Sequence, residues 1–156
     1  ITWIEANAEA VPLPDAGFDF AISEYGAAIW CDPEVWLREA WRVLRPGGRL
    51  VFLGNHPLTF VCTPPSGAEV EHHLYHPYRG LRWMDWSTVE NDPGGVEFNR
   101  GVADWMALFA EIGFAVARYQ ELYAPKGAED TRFGLPGTWA RDFPAEQVWT
   151  LDKPAT

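Results

Sequence analysis

Residues 18–54 read FDFAISEYGAAIWCDPEVWLREAWRVLRPGGRLVFLG, and the rest of the chain is best read outward from this stretch. Residues 18–23 are a short apolar run bounded by Gly17 and by the polar pair Ser23-Glu24, and residues 50–53 repeat that character. Runs of this kind between turn residues read as strands. Between them, Asp32 is placed to cap a helix whose first residue is Pro33, where a missing N–H costs nothing and the fixed φ already suits the helix. Trp36, Leu37, Ala40, Trp41, Val43 and Leu44 recur at three- and four-residue intervals, an apolar stripe opposite Glu34, Arg38, Glu39 and Arg42. Pro46 pushes the residue before it out of the α region, so the helix is expected to end at Arg45 and Gly47-Gly48 to turn the chain into the next strand. Strand, crossover helix and strand, with both strands nearly all apolar, is the pattern of a right-handed βαβ unit in a parallel sheet covered on both faces.

At 156 residues the chain is one domain's worth, and its apolar content of 47% allows a real core. Nine tryptophans are far above ordinary usage, so aromatic packing or an aromatic pocket must absorb them. The formal net charge of −10 argues against a nucleic-acid backbone or an anionic membrane as partner, since both need a basic face. Cys31 and Cys62 form no CxxC pair, which speaks against a disulfide framework or thiolate metal site and makes a reduced cytoplasmic setting the default. No apolar run is long enough to span a bilayer, and the chain reads as soluble.

Upstream, residues 1–6 read as a strand, followed by the loop Asn7-Ala8-Glu9 and a turn cluster of Pro12, Pro14, Asp15 and Gly17. Downstream, residues 58–98 lose periodicity and gather Pro, Gly, His and Trp; unstructured segments this long inside a domain are usually lids or binding loops. Helical order returns over 101–112, with Val102, Trp105, Leu108, Phe109 and Ile112 on one face and Gly113 placed as an αL cap. Residues 114–121 and 148–152 read as strands, and 122–144 as loop with one helical turn near Trp139.

The stretch ANAEAVPLPDAGFDFAISEYG at 6–26, followed by WLREAWRVLRPGGRLVFLG at 36–54, resembles the second half of the nucleotide-binding core of class I S-adenosylmethionine-dependent methyltransferases. The residues that carry the resemblance are Ala8, Val11, Pro12, Leu13, Phe18-Asp19, Glu39 and the run Arg42-Val43-Leu44-Arg45-Pro46-Gly47-Gly48. It implies an α/β fold, a Rossmann-like mostly parallel sheet with flanking helices, of family strand order 3-2-1-4-5-7-6. It makes residues 1–156 a partial domain from the third strand onward, with a lid or substrate insertion at about 55–100. The first two strands and their glycine-rich loop have no counterpart here, and no G-x-G-x-x-G element occurs. The absent strands point to a trimmed portion of a longer polypeptide, to a complementing chain, or to a third strand docked directly beside the fourth; the first is favoured.

The resemblance also implies the cofactor S-adenosyl-L-methionine and a small-molecule methyl acceptor. Asn7, Ala8 and Glu9 fall where the family meets adenine, with Asn7 standing where an acidic residue is usual. An amide oxygen still accepts a hydrogen bond there, without the strength of a carboxylate; the plainer reading of Asn7 is an Asx turn. Ser23, Glu24 and Tyr25 fall where the family contacts the methionine portion and faces the acceptor. Glu24 and His56 are the candidate catalytic groups, Glu24 to hold an ammonium, orient a nucleophile or take a proton, His56 as a general base near neutrality. Tyr75, Tyr78, Trp83 and Trp86 are the candidate substrate residues, an aromatic wall around an apolar or planar acceptor, with core packing as the alternative. His72, His73 and His76 near Glu69 and Glu71 suggest metal ligands, but no zinc signature supports them and no metal is expected. The alternative to an enzyme is a noncatalytic α/β interaction module, or pseudoenzyme, that kept the scaffold.

Overall fold

The computed structural model describes residues 1–89 and 94–155. The elements in chain order are β1 (Phe18–Glu24), α1 (Ala27–Trp30), α2 (Pro33–Val43), β2 (Leu44–Asn55), α3 (Pro57–Cys62), β3 (Trp83–Asp85), β4 (Val96–Phe98), α4 (Val102–Ile112), β5 (Ala115–Leu122), β6 (Thr131–Arg132), β7 (Leu135–Pro136), α5 (Gly137–Ala140) and β8 (Glu146–Asp152). The main sheet has four strands in the order β1-β2-β8-β5. β1 and β2 are parallel, while β8 is antiparallel to both β2 and β5, so β1, β2 and β5 share one direction. This is the 4-5-7-6 portion of the expected order, with the late antiparallel pair in place.

The βαβ unit forms for the reasons its sequence gives. Asp32 accepts a hydrogen bond from the Glu34 N–H at 2.9 Å and caps α2, with Pro33 in its first turn. The helix closes at Val43, two residues earlier than expected, because Leu44 is already extended and paired with Phe18. Lys153 Nζ donates to the carbonyls of Trp41 and Leu44 at 2.8 and 2.7 Å and so satisfies that helix end. Gly48 is required by close approach: a Cβ there would lie 2.9 Å from the Arg45 carbonyl oxygen and 3.2 Å from those of Phe18 and Asp19. Gly113 caps α4 in left-handed backbone at φ 109, as its position predicts.

One face of the sheet carries the core. Leu50 and Phe52 of β2 and Trp149 and Leu151 of β8 are buried against Trp36 and Leu37 of α2 and Trp105, Leu108 and Phe109 of α4. Each such side chain contributes about 1.5–3 kcal/mol by leaving water. Phe52 sits 5.4 Å from the Trp36 ring and 5.5 Å from the Trp105 ring, and Trp149 lies 5.0 Å from Phe109. Much of the tryptophan excess is therefore spent on edge-to-face packing.

Four expectations are corrected. Residues 1–6 are not a strand: among the described residues no strand lies beside the outer edge of β1 to pair with them, and Ile1, Trp3 and Ile4 are exposed. The sheet is not covered on both faces, since Phe20 and Ile22 of β1 are 50% and 69% exposed. Residues 58–98 are not wholly irregular, because they contain most of α3 and the hairpin β3–β4, whose strands of three residues are too short for a periodic signal; residues 90–93 of the expected lid lie outside the described residues. The 122–144 segment likewise contains the two-residue ladder β6–β7 beside the expected turn, α5.

Candidate active site

The carboxyl ends of β1 and β2 lie side by side, Glu24 opposite Leu53, and ligands of open α/β sheets bind at such ends. Four groups of side chains shape this rim.

The first is the loop before β1. Glu9 accepts the Asp32 N–H at 2.8 Å, which ties the loop to the start of α2. Arg42 donates to the carbonyls of Leu13 and Val11 at 2.8 and 3.1 Å and to Glu39, and Glu39 accepts the Val11 N–H at 2.8 Å. The Glu39–Arg42 pair thus clamps the loop to α2; the contact holds Glu39 below its ordinary carboxylate range, with Arg42 as the main cause. Asn7 closes an Asx turn, its Oδ1 accepting the Glu9 N–H at 3.0 Å, while its Nδ2 and the Ala8 N–H have no partner among the described residues.

The second is the turn after β1. Ser23 Oγ donates to the Tyr25 carbonyl at 2.8 Å and accepts the Ala28 N–H at 3.2 Å, so its hydroxyl is spent locally. Glu24 is exposed, and its carboxylate has no hydrogen-bond partner among the described residues. Tyr25 has φ 50 and Gly26 φ 44, left-handed backbone that a bulky residue adopts only where its surroundings enforce it. Here the Tyr25 N–H donates to the Leu53 carbonyl at 3.0 Å, and its hydroxyl donates to Glu146 Oε1. Burial first, then Glu146, raise the phenol above its ordinary value.

The third is a buried polar network that sequence reasoning missed. Glu97 of β4 accepts hydrogen bonds from Asn55 Nδ2 at 2.5 Å and Trp86 Nε1 at 2.9 Å. Asn99 Nδ2 and Gln147 Nε2 both donate to the Asn55 carbonyl, at 2.9 and 3.1 Å, and Gln147 Oε1 accepts the Trp149 indole N–H. The network pins the β3–β4 hairpin to the ends of β2 and β8. Burial pushes the Glu97 carboxyl up, against the opposing effect of its two donors. No local motif marks these residues; only the pairing of β2 with β8 places Glu146 and Gln147 opposite Asn55 and Gly54.

The fourth is His56, which caps α3. Its Nδ1 accepts the Leu58 N–H at 3.1 Å, which places the proton on Nε2, 3.5 Å from Glu121 Oε1. Burial pushes its pKa down, and the ring is only 9% exposed. The nitrogen that would act as a base is occupied by the helix cap.

The four candidate aromatic residues go to different places. Trp86 joins the rim through Glu97, whereas Tyr75 bonds Glu71 and Tyr78 accepts the Val102 N–H at 3.0 Å at the start of α4. Trp83, on β3, lines a cavity of about 310 Å³ with His76, Arg79, Arg82 and Met84. The histidines diverge: His72 meets Phe143, His73 meets Tyr75, and His76 bonds the Thr63 carbonyl. Among the described residues no group of three His, Cys, Asp or Glu is placed to hold a metal ion, and no helix is long and apolar enough to cross a membrane.

Residues 1–52 match the family model described as a methyltransferase domain. The chain is 43% identical over 128 residues to a demethylmenaquinone methyltransferase of Thermus thermophilus, covering 78% of this chain and 55% of that protein. An uncharacterised Escherichia coli protein is 32% identical over 116 residues, 74% of this chain and 47% of its own length. The chain thus spans about half the length of these relatives. Among solved structures, an S-adenosylmethionine-dependent methyltransferase from Mesorhizobium loti superposes with TM-score 0.65 at 24% identity, over 94% of this chain and 67% of that one. One from Methanosarcina mazei does so with TM-score 0.58 at 17% identity, over 97% and 66%. Over its opening third the chain thus matches a methyltransferase-domain family model, and along the rest its fold is the one shared by these solved S-adenosylmethionine-dependent methyltransferases.

Proposed function

We propose that the chain forms the acceptor-side portion of an enzyme that transfers a methyl group from S-adenosyl-L-methionine to a small molecule. The observation that carries this reading is the convergence at one sheet rim of free groups that suit the cofactor. The Asn7 Nδ2 and the Ala8 N–H are unspent donors for a purine edge, and the Glu24 carboxylate is an unspent acceptor for an ammonium. When bound, the cofactor supplies a methyl group activated by a positively charged sulfur. What the chain adds is orientation and exclusion of water: the Glu39–Arg42 clamp fixes the Asn7–Glu9 loop, and the β3–β4 hairpin, held by Glu97 and Asn99, serves as a lid over the strand ends. Glu24, exposed beside Tyr25, is the group free to take a proton from an acceptor, and Trp86, joined to the rim through Glu97, is the aromatic side chain that would meet a planar one.

The outer edge of β1 and its exposed Phe20 and Ile22 are the surface on which the strands of the remaining polypeptide would pair, completing the pocket. The free thiols Cys31 and Cys62 fit a cytoplasmic setting. The test is titration calorimetry of the full-length polypeptide with S-adenosylmethionine and S-adenosylhomocysteine. Transfer of labelled methyl to reduced demethylmenaquinone follows, an acceptor chosen from the relative's name. Binding of both ligands is expected; a folded, full-length protein that binds neither is a noncatalytic scaffold.

A further inference from the structure

Several carboxylates of this chain have arginine partners: Glu34 pairs with Arg82 and Arg100, Glu39 with Arg42, and Asp152 with Arg49. The rim carboxylates do not. Glu24, Glu97 and Glu146 have no Lys or Arg partner among the described residues, although Glu97 is only 7% exposed and its hydrogen-bond donors, Asn55 and Trp86, are neutral. A carboxylate taken out of water without a counter-ion is costly, and a cationic ligand would relieve that cost. Two of these three carboxylates are linked to one phenol: the Tyr25 hydroxyl donates to Glu146, which pairs across the ladder with Asn55, whose Nδ2 donates to Glu97; Glu24 precedes Tyr25 in the chain. A phenol that donates to a carboxylate turns electron-rich oxygen lone pairs toward whatever lies on its other side. Its backbone is held in left-handed geometry and tied to the Leu53 carbonyl, and the ring cannot swing away without breaking the hydroxyl's bond to Glu146.

We propose that Glu146, by holding Tyr25 at the strand-end rim, together with Glu97, makes this site discriminate the sulfonium of the methyl donor from the neutral thioether left after transfer. The inference rests on the cofactor reading above and adds to it two residues, on β8 and β4, that sequence motifs leave unassigned. Glu146 acts as a positioning residue through Tyr25. The physical consequence is that attraction to the rim disappears with the charge on sulfur, so the spent product is released while a fresh donor is favoured.

The test is calorimetric titration of the full-length polypeptide, and of its Glu146→Gln, Tyr25→Phe and Glu97→Gln variants, with S-adenosylmethionine and S-adenosylhomocysteine separately. Each variant is expected to lower the ratio of the two affinities by about 3-fold or more, while the homocysteine product keeps its affinity within about 2-fold. Glu146→Gln retains an oxygen to accept the Tyr25 hydroxyl, so it removes charge with little change of shape. An unchanged ratio in all three variants overturns the inference and leaves the cofactor reading standing. A parallel loss for both ligands also overturns it, since that is the signature of structural damage. Failure of the folded parent to bind either ligand overturns the reading and the inference together.

Discussion

Replacing Asn99 by alanine tests whether the β3–β4 hairpin is held onto the strand ends by the buried network. Asn99 is 2% exposed, and its side chain donates to the Asn55 carbonyl at 2.9 Å while its Oδ1 accepts from the Arg100 N–H at 2.8 Å and Gln147 Nε2 at 3.3 Å. Gln147 still reaches the Asn55 carbonyl at 3.1 Å after the change, but the Arg100 N–H loses this partner. At about 1 kcal/mol for each bond, with a further penalty for the orphaned donor, the loss is about 3–4 kcal/mol. In a domain of this size that corresponds to a fall in Tm of about 6–15 °C. Thermal unfolding by circular dichroism reads the total, and amide exchange reads where it falls: Asp85 and Val96, which pair across the hairpin, are expected to lose protection before the β2–β8 ladder does. A variant within about 1 kcal/mol of the parent, or one whose loss leaves hairpin exchange unchanged, would refute the reasoning.

The other outcomes follow from single contacts. Burial holds the Glu97 pKa above its unfolded value, so the folded protein binds more protons than the unfolded one between those two values and stability falls as pH rises through that window. Glu97→Gln is therefore expected to gain stability over the parent from about pH 4 upward, the advantage levelling off above the raised folded value; denaturant titrations across pH check it, and a constant difference would contradict it. Arg42→Ala is expected to free residues 11–15, seen as faster exchange of the Val11 amide, with α2 intact. Gly48→Ala places a methyl 2.9 Å from the Arg45 carbonyl oxygen and is expected to cost about 1–3 kcal/mol in denaturant unfolding, by strain where β2 meets the start of β1.

The unit from β1 to β2 was legible because its determinants are local: the Asp32 cap, Pro33, the apolar stripe and the Pro-Gly-Gly turn each act within a few residues. Asn7 carried two readings, and the structure shows its Asx turn while leaving Nδ2 free. The rim was illegible where it depends on distant pairing. Glu146 reaches Tyr25 across 121 positions and Glu97 reaches Asn55 across 42, contacts that no spacing rule announces. Residues 1–6 misled because their apolar pattern states a preference for sheet, and a preference becomes a strand only beside another strand.

The uncovered flank of β1 has a practical meaning at the bench. Its outward backbone groups form a ready template, and Phe18, Phe20 and Ile22 beside it give any arriving ribbon something greasy to settle on. Handled alone at high concentration, these 156 residues should therefore clump or pair edge to edge. A synthetic peptide with an extended, apolar sequence should keep them dispersed.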